Sequence, residues 1–150
     1  MTAAQLHGSE FAGTAGAALL TGGLAPPWYA TDASNSDSRI GGGTGVLTGW
    51  DVHPILRWLL IAAATAPFVL AWIIVRGHAL SRARGEVTVV TSIAAFGLVL
   101  YNGLVDRPGE IAVSLQAGRL VAVAGTLVMA GAATRRESES ERPRKPPGTI

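Results

Sequence analysis

The residues of this chain best able to do chemistry are four polar side chains set among long apolar runs: Arg57, Asn102, Gln116 and Arg119. Gln116 and Arg119 stand three apart and share one helix face, so a face that turns either inward turns both. An arginine inside hydrocarbon costs several kcal/mol unless it is paired, which makes it a default binding candidate. Tyr101, Asp51, Asp106 and Glu110 are the groups available to complete such a site. In the competing reading, Arg57 and Arg119 are boundary residues that extend their charges to lipid headgroups along apolar stems.

Other motifs fail on their own chemistry. Gly41–Gly49, GGGTGVLTG, lacks the Lys-Ser/Thr that grips phosphate and magnesium, and reads as a flexible loop. Asp32–Asp37, DASNSD, has neither the spacing nor the closing glutamate of a calcium loop. His7, His53 and His78 fall on both sides of a membrane in the topology below and cannot share a metal. With no cysteine there is no disulfide, thiolate ligand or thiol nucleophile. The apolar spans are read as free of acid, histidine and cysteine, so general acid/base or nucleophilic chemistry would have to come from loops. The expectation is a non-enzyme without cofactor or metal. A net charge of +2 and a pI of 9.7 could suggest nucleic acid, but the cations sit at the ends of apolar runs instead of forming a stripe.

Those runs are the elements that position the polar residues. The 150 residues are 49% hydrophobic and 15% charged with a mean hydropathy of +0.36, and their apolar residues cluster rather than alternate. Lipid is the solvent such clustering suits. The pattern predicts an all-α membrane protein: a four-transmembrane-helix bundle over residues 1–134, with helices at about 9–26, 54–75, 87–105 and 111–134. A long outer loop joins the first two. Asp51 is the expected cap of the second helix, with Pro54 in its first turn. Pro67, mid-helix, removes a backbone hydrogen bond and predicts a kink. The first helix is the least apolar, but Gly13 and Ala17, Ala12 and Gly16, and Ala18 and Gly22 are each four apart, a spacing that permits close backbone approach.

Orientation follows from charge. Arg76, Arg82 and Arg84 lie in one connection, and Arg135, Arg136, Arg142, Arg144 and Lys145 in the tail, which places both termini in the cytoplasm. Trp28, Tyr29, Trp50, Trp58 and Tyr101 then fall at the outer boundary and Trp72 near the inner one, as an interfacial belt. The tail, 135–150, mixes both charge signs with proline and is expected to be disordered.

Pro26-Pro27-Trp28-Tyr29 after the first span, Gly49-Trp50 before the second and Pro108-Gly109 between the third and fourth resemble the small four-helix integral membrane proteins of high-GC Gram-positive bacteria. The resemblance covers most of the chain and implies an inner-membrane address without catalytic residues. An arginine-to-lysine ratio of eleven to one fits a GC-rich source. The tryptophan-bearing outer loop is also similar in outline to that of claudin-like proteins, without their usual cysteine pair. Two functions fit. One is a structural or accessory subunit of a membrane complex, its partners being the bilayer and other membrane proteins or itself. The other is a small transporter or channel subunit using the outer-leaflet arginines.

Overall fold

The computed structural model describes residues 8–76, 86–104 and 113–140. Expectations placed on His7, His78, Arg82, Arg84, Asp106, the Pro108-Gly109 turn, Glu110 and the tail beyond residue 140 lie outside them. The described residues form α1 (Gly8–Gly22), β1 (Pro27–Ala30), β2 (Val46–Thr48), α2 (Gly49–Val52), α3 (Leu56–Val75), α4 (Glu86–Leu104), β3 (Ser114–Leu115) and α5 (Ala117–Ser140).

This corrects the all-α bundle of four transmembrane helices. Among the described residues, α3 and the Ala117–Arg135 part of α5 are the two helices long and apolar enough to cross a membrane. The 15 residues of α1 reach about 22 Å, and the apolar part of α4, Glu86–Asn102, is also too short. The missing residues have a destination. After Gly22 the amides of Leu24 and Ala25 bond back to Thr21 and Gly22 at 3.2 Å each, a turn that delivers β1 into a sheet. Ser114 and Leu115, assigned to the fourth span, join the same sheet and delay the helix start to Ala117. At its other end α5 runs past Thr134 to Ser140.

The sheet has the order β2-β1-β3, both pairs antiparallel, with Tyr29 opposite Leu47 on one side and Leu115 on the other. The glycine-rich segment read as a flexible loop is folded back onto it. Thr31 N bonds Gly45 O at 2.9 Å, and Ile40 and Gly43 exchange bonds of 3.0 and 2.9 Å. Gly41 and Gly42, with φ of 56° and 82°, make the reversal between Ile40 and Gly43 that a side chain would strain. Asp51 does not cap α3. It closes a capping box with Thr48 at the start of α2, while α3 begins after Ile55 with no side-chain cap.

The four longer helices form a shaft beneath the sheet, α1 and α4 each packing against both α3 and α5. The α1–α5 seam is made by small residues, as the spacing predicts. A Cβ on Gly16 would stand 2.8 Å from Met129 N, and one on Gly125 2.5 Å from Leu20 N. These contacts use the face of Gly13, Gly16 and Ala17; Gly22 has open space around it. Pro67 is buried beside Gly13, and α3 continues as one helix through it.

Large apolar side chains lie both inside the shaft and on its surface. Its interior holds Leu20, Leu60, Val99 and Met129 together with Ala17, Ala64, Ser92, Ala95, Ala122 and Thr126, while Phe68, Val69, Trp72, Val90, Ile93 and Leu127 are exposed. Only 22% of the apolar window of α3 is buried, against 39% for α5. A core helix of a water-soluble domain would bury a larger share of its large apolar side chains.

Candidate functional site

The densest polar construction lies where the sheet meets the shaft. Trp28 and Tyr29, neighbours on β1, are both fully buried. The Trp28 indole N–H donates to Gly23 O at 2.6 Å, and its ring lies between Gly49 and Gly118, where an added Cβ would come within 2.5 and 2.7 Å of it. Only glycine admits the ring from both sides. Tyr29 Oη is 3.2 Å from Asn102 O and 2.9 Å from His53 Nε2. A phenol has one proton and a carbonyl can only accept, so Tyr29 donates to Asn102 O and accepts from a protonated Nε2 of His53. The three rings contact one another, with His53 5.6 Å from both Trp28 and Tyr29 between centroids.

The four residues selected from sequence surround this knot but do not converge on a common ligand. The Asn102 side chain bonds its own helix at Leu98 O, 2.9 Å, while its carbonyl receives Tyr29. Gln116 N–H donates to Trp28 O at 2.8 Å and its Nε2 to Ser114 Oγ at 3.0 Å. Arg119 is half-buried in the first turn of α5, next to the Gly118 that contacts Trp28. Arg57 donates from Nη1 to Trp50 O at 3.0 Å and lies over the rings of Trp50 and Trp58, 4.7 and 5.6 Å from their centroids. Among the described hydrogen bonds none joins two of the four. Asp51, a proposed partner, is taken by Thr48, whose hydroxyl donates to it at 2.6 Å.

The interfacial belt needs correction at two positions. Trp28 and Tyr29 form the core of the cap, whereas Trp50, Trp58, Trp72 and Tyr101 are exposed. At the far end of α3, Arg76 lies 4.4 Å from the Trp72 centroid. Arginine–tryptophan clusters therefore bracket α3, and the 19 residues from Arg57 to Arg76 span about 28 Å of helix, close to a hydrocarbon core of about 30 Å.

The sequence reading overlooked Glu10. It is 6% exposed, among Pro67, Leu70 and Thr88, beside a cavity of about 20 Å³, the size of a single water. The signal was present: Glu10 is the one acid inside the 9–26 run, so the first span was not free of carboxylates. Deeper in the shaft the buried hydroxyls turn back on their own helices, Ser92 to Val89 O at 2.9 Å and Thr126 to Val123 O at 2.7 Å. In the segment between β1 and β2 the hydroxyl and amide of Ser34 bond Asp32 and hold its carboxyl below the usual carboxylate range. That local support persists at neutral pH and is lost as pH falls through the lowered value.

Chemically, the Tyr29–His53 relay ends on a backbone carbonyl, which has no proton to release, and both rings are buried from a substrate. The arrangement ties sheet to shaft. No group of three metal-ligating side chains occurs among the described residues. Fold and site together define a helical chain with a small sheet cap and two helices able to cross a membrane. No family model matches it, and neither a curated protein nor a solved structure does.

Proposed function

We propose that the chain is a non-enzymatic, multi-pass integral protein of a bacterial inner membrane, serving as a structural or accessory subunit of a membrane complex. The observation that carries this reading is the apolar outer surface of the shaft, where Phe68, Val69, Trp72, Val90, Ile93 and Leu127 are exposed and only 22% of the apolar window of α3 is buried. Such a surface suits lipid or other apolar helices. The start of α1 and the Arg135 turn of α5 line one groove, so both lie at the same end of the shaft, away from the sheet. With the basic residues of that end, this supports cytoplasmic termini and an outward-facing sheet. An accessory role is favoured over transport because the buried hydroxyls of Ser92 and Thr126, in the middle of the shaft, are bonded to their own helices.

Membrane fractions washed in alkaline carbonate should retain the protein; release into the wash contradicts the membrane reading. Since the chain has no cysteine, Thr2→Cys, Ser36→Cys and Ser138→Cys can be labelled from outside spheroplasts, and only Ser36→Cys should react. Native mass after gentle extraction should give a stable hetero-complex. A homo-oligomer that moves an ion in vesicles would instead establish transport.

A further inference from the structure

At the end of the shaft away from the sheet, α1 and α5 leave between them an open groove of about 510 Å³. Its walls are small or apolar, with Ala12 on one side and Val128 and Gly131 on the other, and Arg135 lies at its end. Gly131 has open space where a Cβ would stand, so no neighbour within the chain requires a glycine there. Exposed glycine in a helix interior is unfavourable relative to alanine, and here its effect is to keep the groove open.

Three features of this groove attract an anion. Arg135 offers a guanidinium with five donors in a fork that matches phosphate oxygens. The first turn of α1, Gly8 and Ser9, brings the positive end of a 15-residue helix to the same place. Ser9 Oγ is buried and has no hydrogen-bond partner, an unmet polar atom in the groove wall. Glu10 lines the small cavity on the α3 and α4 side of α1 with Pro67 and Thr88, and Ser9 and Ala132 stand between that cavity and the groove. Arg135 also marks the end of the apolar stretch of α5, the level at which headgroups meet hydrocarbon.

We propose that this groove holds one anionic phospholipid of the cytoplasmic leaflet, an acyl chain along Ala12, Val128 and Gly131 and the phosphate at Arg135 and Ser9. The volume falls in the range of sites that enclose a small-molecule ligand. Charge selects the lipid: a positive groove end on a hydrocarbon-lined trough fits a headgroup of net negative charge better than a zwitterion. This inference rests on the membrane reading above, and its test is separate from it, since carbonate washing reports membrane integration whether or not the groove is filled.

The test is native mass spectrometry of the purified full chain titrated in detergent with dioleoyl-phosphatidylglycerol or dioleoyl-phosphatidylcholine. The parent should retain one phosphatidylglycerol in preference to phosphatidylcholine. Gly131→Leu sets its Cβ in open space and fills the trough, and should weaken that binding about tenfold or more, as should Arg135→Gln. Gly97→Leu, at another glycine with open space, is the control and should bind as the parent does. Equal retention of the two lipids by the parent, or undiminished phosphatidylglycerol binding by Gly131→Leu, overturns the proposal. A Gly131→Leu variant that loses a protein partner or a second copy while keeping its lipid also overturns it, and identifies the trough as a helix-docking face.

Discussion

The cap and the shaft of this chain differ in what they leave on the surface. In the cap the largest aromatic residues, Trp28 and Tyr29, are fully buried and hydrogen-bonded, and polar turns such as Asp32–Ser34 face outward. In the shaft the seam sets Gly16 and Gly125 against Met129 and Leu20, and Phe68, Val69 and Ile93 face outward. One chain folding in one solvent would apply one rule. Under the proposed membrane reading, the contrast is what two solvents would impose: water around the sheet, where apolar area is hidden, and hydrocarbon around the apolar surface of the shaft.

The contrast can be broken most forcefully at its tryptophans. Trp28→Ala should cost about 3–5 kcal/mol, because the space between Gly49 and Gly118 empties. Trp72→Ala, at an exposed position, should cost well under half of that. Thermal unfolding of both variants in the same detergent makes the comparison, and equal losses would mean that the cap is no better packed than the shaft surface. Next in size is the seam. Gly125→Leu drives a side chain into the backbone of Leu20 and Gly16 and should cost about 3 kcal/mol, seen as a lowered melting temperature. A variant as stable as the parent would place α1 away from α5. Tyr29→Phe is smaller, about 1–3 kcal/mol, since it leaves the His53 and Asn102 bonds to the phenol unmade in a buried site. Its signature is a changed His53 imidazole resonance with the helices intact.

What the sequence revealed follows the same division. Shaft helices announce themselves because an uninterrupted apolar run has few other uses: α3 begins and ends within about two residues of its expected bounds, and the small-residue spacing of α1 pointed to the seam that Gly16 and Gly125 form. The cap was illegible. Its strands are two to four residues long, too short for alternation to register, and β1 pairs with β3 across more than eighty residues of chain. Trp28 and Tyr29 looked interfacial because tryptophan and tyrosine beside a span ordinarily are; only the pairing of β1 turns them inward. Glu10 was missed for a related reason. An acid at the edge of the weakest apolar run reads as a flank, and its burial depends on α3, α4 and α5 converging on it.

The most direct test of the two-solvent account uses two valines that the fold exposes alike, Val46 on the sheet at 65% and Val69 on the shaft at 53%. In a chain without native cysteine, Val46→Cys and Val69→Cys are single reporters for a water-soluble maleimide applied to open membrane sheets. The account predicts rapid labelling at position 46, and labelling at position 69 only after the membrane is dissolved and the protein unfolded. Equal labelling of the two in intact membranes would show that the shaft stands in water, and would contradict the account.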